Sequence, residues 1–212
     1  MQAGRAGLDR VTGLHTQIVG LERANRHVAA VPVGEHLRSR GVCTPGLLAT
    51  TAATSGLVEL TWTRVEGRPP RANRADVMAC ARLLARIHEA LKDFDGASIH
   101  GDFHPGNVLF PLDGGPPVVL DLEDTWRQDS YLLDVAFALD RFVAQRFEGE
   151  SRDMAEALFL DTYADVRGFP VPRHELPRWR RQMAVYALQA LLDGGPGTWD
   201  ALEWRKQLDC AR

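Results

Sequence analysis

The chain has 212 residues, 45% hydrophobic and 25% charged, with a formal charge of −3, enough for one good core or two small lobes. The net acidity argues against a nucleic-acid binder, and no apolar run reaches membrane-spanning length or forms a signal-peptide core, so no nucleic-acid or membrane partner is expected and the expected location is cytoplasmic. Three cysteines, Cys43, Cys80 and Cys210, are odd in number and lack C-x-x-C spacing; they suggest neither a disulfide framework nor a zinc site and read as reduced thiols, two of them buried.

In chain order, Met1 to Gly20 is rich in Gly and polar residues without a period and reads as irregular. Leu21 to Arg40 reads as helix with a break at Pro32. Leu47–Ala53 and Leu57–Val65 read as antiparallel strands joined by a turn near Ser55-Gly56, the second running into Glu66-Gly67-Arg68-Pro69-Pro70. Val77, Cys80, Leu83, Leu84, Ile87 and Leu91 then form one stripe on a helix from about Arg74 to Lys92, capped by Asn73, with Asp76 in its first turn. Val108–Phe110 and Pro117–Leu120 are short buried strands separated by Leu112-Asp113-Gly114-Gly115-Pro116, a hairpin sequence. Three more helices follow. Leu132, Leu133, Ala136, Phe137, Leu139 and Phe142 mark the first, and Met154, Leu158, Phe159, Tyr163 and Val166 the second, opened by Ser151. Trp179, Met183, Tyr186, Ala187 and Leu191 mark the third.

The chemistry concentrates in His100-Gly101-Asp102-Phe103-His104-Pro105-Gly106-Asn107. Asp102 and Asn107 lie five residues apart across a Pro-Gly pair that favours a compact turn, so both side chains can enter one cavity. Pairing of the two short strands carries Asp121 back toward them. Magnesium takes hard oxygen ligands, usually one or two carboxylates plus substrate phosphates, so Asn107 and Asp121 form a credible site once a nucleotide supplies the rest. Asp102 is left to act on a proton. This is the equipment of phosphoryl transfer by a kinase-type loop.

On these residues the chain resembles the aminoglycoside phosphotransferase and choline kinase-like family, small-molecule relatives of the protein kinases. The family's H-G-D-x-H-x-x-N signature matches His100, Gly101, Asp102, His104 and Asn107; its strand ending in an acid, with another two residues on, matches Val119-Leu120-Asp121-Leu122-Glu123. Asp134 matches an Asp that opens the next helix, and Gly41-Val42-Cys43-Thr44-Pro45-Gly46-Leu47-Leu48 resembles the family's lead-in to the sheet. The resemblance covers about Glu35 to Leu192. It implies an α+β, protein kinase-like fold with a reduced N-terminal β lobe (1–66), a hinge (67–70) and a helical catalytic lobe (71–212). It implies ATP as co-substrate and Mg2+ as metal, with Asp102 as catalytic base, Asn107 and Asp121 as metal ligands, and Asp134 as support for the loop. The backbone of Thr63, Arg64 and Val65 would meet the nucleotide base. His100 and His104 read as loop-packing histidines, and Glu123 as a possible further ligand or a contact to a cationic acceptor.

One departure stands out. Of the 25 basic residues only Lys92 and Lys206 are lysines, whereas kinases grip the α- and β-phosphates with a strand lysine of the N-terminal lobe under a glycine loop. Either the N-terminal lobe is truncated or divergent, or an arginine such as Arg23 or Arg26 takes that place, with Glu22 or Glu35 as candidate acidic partners. The expected activity is phosphoryl transfer to a hydroxyl of a small molecule. Asp193, Asp200 and Glu203 are candidate contacts for an amine-rich acceptor. Two readings compete: a non-catalytic kinase-like binding protein or fragment, and, remotely, a non-haem iron enzyme using His100 and Asp102 with a distant histidine such as His174. The oligomeric state has no signature in the sequence.

Overall fold

The computed structural model describes residues 13–54 and 56–192. Cys210 and the acids Asp193, Asp200 and Glu203 lie outside these residues, as do the side chains of Ala187 and Leu191.

A three-stranded antiparallel sheet opens the fold, in the order β1 (Leu14–Gly20), β3 (Leu57–Thr63), β2 (Leu47–Ala52). Leu14 pairs with Thr63 and Gly20 with Leu57, and β2 joins from the other side through Thr50 and Leu60, with a bulge between Leu47 and Ala49. The strand β1 corrects the expectation of an irregular start. Its alternation runs against the usual sense: Leu14 and Ile18 are 64% and 59% exposed, while His15 and Gln17 line a cleft. Only Val19 enters the small core beneath the sheet, with Ala24, Val58 and Leu60.

Between β1 and β2 run two helices, α1 (Leu21–Ala29) and α2 (Val31–Ser39). The break falls at Ala30, and Pro32 sits in the first turn of α2, where its missing N–H removes no intrahelical bond. Val33 and Leu37 of α2 join the main core rather than the small one. The sheet lobe is thereby wedged onto the helical part through α2.

Past β3 the chain forms β4 (Gly67–Arg68), which pairs with β5 (Val108–Pro111) through Gly67 and Pro111 and through Arg68 and Phe110. The expected hinge is thus tied to the strand that follows the His100–Asn107 loop. A second clamp fixes it to the helix that follows: Arg68 Nη1 and Nη2 donate to Asp76 at 2.5 and 3.1 Å, and the Arg71 N–H donates to Asp76 Oδ2 at 2.6 Å. These contacts hold the Asp76 carboxyl below the usual carboxylate range, the Arg68 hydrogen bond foremost.

Helix α3 (Arg74–Leu91) forms as its stripe predicts, and the Asn73 side chain accepts from the Asp76 N–H at 2.9 Å. Cys80, Leu84 and Ile87 are fully buried, Cys43 half so, and burial pushes both thiols up. α3 packs against α5 (Gly149–Arg167), whose Ala155, Phe159, Leu160 and Tyr163 share its core. Leu158, Phe159 and Tyr163 pack as the stripe predicts, and it is corrected only at its ends, where Met154 is 60% exposed and Val166 38%. The helix opens two residues before Ser151, whose hydroxyl donates to the Glu148 carbonyl. It closes at Gly168, which takes φ +74° and donates its N–H to the Ala164 carbonyl.

α4 (Leu132–Ala138) runs on into a π-helical stretch, Leu139–Ala144, that buries Leu139, Phe142 and Val143. α6 (Leu176–Leu192) returns across α4, with Met183 buried beside Ile99 and Leu133. No helix among the described residues is long and apolar enough to cross a membrane. The whole is an α+β arrangement with a small β lobe and a larger helical one.

Candidate active site

The loop His100–Asn107 sits between α3 and β5 and ends in a 3-10 turn, Pro105–Asn107. Its entry is held from below. Asp134, at the start of α4 and 1% exposed, accepts from the His100 N–H at 2.6 Å and the Gly101 N–H at 2.9 Å. His88 of α3 donates from Nε2 to the same carboxylate at 2.9 Å, and its Nδ1 accepts from the Tyr163 hydroxyl at 2.6 Å. Burial alone would raise the Asp134 carboxyl; the His88 bond, the neighbouring imidazoles and the His100 N–H outweigh it and hold it below the ordinary range. Burial lowers the His88 imidazole below its ordinary value, against the opposing bond to Asp134.

Gly101 adopts φ +86°, and a Cβ there would collide with the Asp124 carbonyl oxygen. Gly101→Ala is therefore expected to lower stability by about 1–3 kcal/mol from the left-handed backbone alone, and to displace Asp102. Urea unfolding read beside activity checks both; a variant with unchanged midpoint and rate refutes the constraint.

His100 is spent inside the loop, its Nδ1 accepting from the Asp102 N–H at 3.2 Å and its Nε2 lying 3.1 Å from the Leu120 carbonyl. His104 accepts from the Gly106 N–H at Nδ1, and its Nε2 lies 3.3 Å from Asp102 Oδ2. The iron reading finds no support in this geometry. His100, Asp102 and His174 do not gather into a metal-sized cluster among the described residues.

Asp102, Asn107 and Asp121 are brought together as the hairpin predicts. The Asn107 amide donates to the Asp102 carbonyl at 3.0 Å and to its Oδ2 at 3.1 Å. β5 pairs with β6 (Val118–Val119), Val108 facing Val119, and the Leu120 N–H donates to the Asn107 carbonyl at 2.8 Å. Asp121 is thus set beside Asn107. It is the one non-glycine residue with positive φ (+53°) among those described, a strained backbone of the kind that collects at functional sites. Its Oδ1 is buried without a hydrogen-bond partner. Burial and the neighbouring Glu123 raise its carboxyl above the usual range, and Asp124 is raised likewise by burial and by Asp102.

A cleft of about 370 Å³ opens over these residues. Asn107, Leu109 and Asp121 form its floor, and Trp62, Thr63, Arg64 and Val65 its back wall. The Thr63 and Arg64 N–H groups are taken by the Gly46 and Gly13 carbonyls. His15, Gln17 and Arg23 close the side where the strand leads into the first helix.

Three residues of that side escaped the sequence reading in their actual role. Arg23 donates from Nε to Glu123 Oε1 at 2.9 Å and reaches Asp121 Oδ2 from Nη2 at 3.5 Å. Arg26 lies 3.7 Å from Glu123 Oε2 and 3.6 Å from Glu22. His27, 5% exposed, lies 3.3 Å from Glu123 Oε2. Glu123 is therefore no open acidic contact but a buried one, surrounded by bases of α1. Their signal was the spacing: 23, 26 and 27 share one face of a helix. Glu22 sits exposed on α1, with Arg26 as its ion-pair partner.

The model of the phosphotransferase enzyme family, APH, matches residues 92–169. No curated protein matches by sequence. Among solved structures, the aminoglycoside phosphotransferase APH(3'')-Id from Streptomyces rimosus, with ADP and streptomycin bound, is 14% identical over 78% of this chain and 84% of its own, with a TM-score of 0.59. A thermostable mutant of aminoglycoside phosphotransferase APH(4)-Ia gives 0.60 at 15% identity, covering 94% of this chain and 85% of its own. The Plasmodium vivax ethanolamine kinase gives 0.54 at 10% identity, covering 93% and 82%. The chain therefore has the protein kinase-like fold, with a reduced β lobe, and resembles the small-molecule phosphotransferases built on it.

Proposed function

We propose that the chain transfers the γ-phosphoryl group of ATP to a hydroxyl of a small molecule, in a magnesium-dependent reaction. The observation that carries this is that Asp102 accepts from the Asn107 amide while Asn107 and the strained Asp121 line one cleft, in the loop-and-strand order of phosphoryl-transfer enzymes. The donor set suits magnesium: an unpartnered, buried carboxylate oxygen on Asp121, and on Asn107 an amide oxygen that takes no part in the bonds to Asp102. Asn107 and Asp121 would hold the ion, which when bound neutralises charge on the phosphates.

The chain's own groups do the rest. Asp102 accepts the proton of the acceptor hydroxyl as the oxygen bonds to the γ-phosphorus; the bond from that phosphorus to the β–γ bridging oxygen breaks, and ADP leaves with its electron pair. Val65 lines the back wall next to residues whose N–H groups are already taken, so the base would be met there rather than at Thr63 or Arg64. Arg23 lines the phosphate side and is the candidate cation in the absent lysine's place; a planar fork has more than one edge to offer, and Nε and Nη2 alone are engaged by the carboxylates.

For the acceptor, the solved relative with streptomycin and the ethanolamine kinase both act in an amine-bearing chemical space, which favours a hydroxyl on a cationic molecule. The test is binding first. The unmodified protein is expected to bind Mg-ATP in calorimetry, and Asp121→Ala to abolish that binding. Absence of nucleotide binding by the unmodified protein would instead support the non-catalytic reading.

A further inference from the structure

The buried His27 of α1 raises a question that phosphoryl transfer does not answer. His27 comes from a helix some ninety residues before Asp121 and Glu123 in the sequence, yet one donor atom of each of the three lies within 4.8 Å of the others. Each carries a buried atom with no hydrogen-bond partner: His27 Nε2, Asp121 Oδ1 and Glu123 Oε2. The side chains of His27 and Glu123 are both only 6% exposed.

We propose that His27, Asp121 and Glu123 hold a resident divalent ion of the transition-metal class, at a site that shares Asp121 with the substrate magnesium pair and differs from it in the other two ligands. The 3.3 Å between His27 Nε2 and Glu123 Oε2 does not meet hydrogen-bond geometry. It does match the edge of a coordination shell, since bonds of about 2.0–2.2 Å set neighbouring donors roughly 3–3.5 Å apart. The other donor separations lie within 4.8 Å. An imidazole among carboxylates favours zinc, manganese, iron or cobalt over magnesium, which takes oxygen.

The surroundings are built as a ligand-orienting shell. Arg23 donates to Glu123 Oε1 and reaches Asp121 Oδ2, the oxygens that the proposed site does not use, and so leaves Oε2 and Oδ1 turned inward. The Trp62 and His27 rings pack T-shaped, 5.4 Å between centroids and 77° between planes, which restricts rotation of the imidazole. Two guanidiniums bring positive charge beside the site, Arg23 on the unused oxygens and, near Oε2, Arg26. The latter is 49% exposed, stands 3.7 Å from Oε2, and has Glu22 as an alternative partner. With Asp124 counted, three carboxylates crowd together and repel one another, facing two guanidiniums. A dication there would relieve that repulsion and set positive charge on the side of the cleft that has no lysine.

The test uses the full chain, stripped of metal with a chelator and free of nucleotide. Titration with Co2+ is expected to produce visible ligand-field absorption that saturates at one ion per chain. His27→Gln and Glu123→Gln should abolish it, Arg23→Gln should weaken Co2+ binding by roughly 10- to 100-fold, and Asn107→Ala should leave it unchanged. If His27→Gln does not fold, X-ray absorption of the zinc-loaded unmodified protein gives the same answer through imidazole scattering. No bound ion, an ion ringed by oxygen only, or a signal lost in Asn107→Ala and kept in His27→Gln would overturn the proposal. Mg-ATP binding measured on His27→Gln separates the two readings: retained binding with lost Co2+ absorption supports both, and Co2+ absorption in a protein that never binds nucleotide sinks only the phosphotransferase.

Discussion

Asp102→Asn is expected to lower the rate of phosphoryl transfer by roughly 10²- to 10⁴-fold, the contribution of a positioned general base, while leaving the KM for ATP unchanged. The asymmetry follows from what the substitution keeps. The Asn107 amide donates to the Asp102 carbonyl and to Oδ2, and an asparagine at 102 still offers a backbone carbonyl and a side-chain oxygen to that amide. Loop shape and the nucleotide side of the cleft therefore survive, and only the capacity to take a proton is lost. Steady-state kinetics with a turned-over acceptor reads the split directly. A variant that raises KM with kcat intact would show Asp102 to be a positioning residue instead.

The parts of the site legible in sequence are those whose chemistry is packed into short intervals. Asp102 and Asn107 are joined by one turn, and Asp121 is returned to them by a hairpin whose two strands and turn are all short-range signals. The α3 stripe was equally plain, since eighteen residues of helix give the period room to repeat. What was not legible came from tertiary placement. β1 escaped because its apolar residues Leu14 and Ile18 face solvent while His15 and Gln17 face the cleft, the reverse of the pattern by which a half-buried strand is known. The burial of Glu123 among bases was not legible because its partners Arg23, Arg26 and His27 stand on a helix distant in sequence, with no motif joining them. The start of the α5 stripe was misjudged for a related reason: Met154 is apolar but sits on the outer face, and small Ala155 takes the buried position ahead of Phe159 and Tyr163.

Asp134→Ala is expected to destabilise the fold by about 3–5 kcal/mol, the usual consequence of removing one partner from a buried charged cluster. The carboxylate accepts three hydrogen bonds, from the His100 and Gly101 N–H groups and from His88 Nε2, and all three donors would be left without it in a region closed to water. At about 2–4 °C per kcal/mol for a chain of this size, the melting temperature should fall by roughly 6–20 °C. The pH dependence identifies the cause. Asp134 is depressed in the folded state, so its contribution is present above the ordinary carboxylate pKa, near 3.9, and is lost as pH falls through its folded value. His88 is also depressed, so below about pH 6.5 the unfolded chain takes up a proton that the folded chain refuses, and stability again falls with acid. Both groups make the unfolded state bind more protons, and the stability of the unmodified protein should rise with pH from about 3 to 7. Asp134→Ala removes the carboxylate part of that slope, so the gap between the two proteins should narrow below about pH 4. A gap that stays constant from neutral pH down to acid unfolding would mean that the ionised carboxylate is not what holds the loop to α3 and α4.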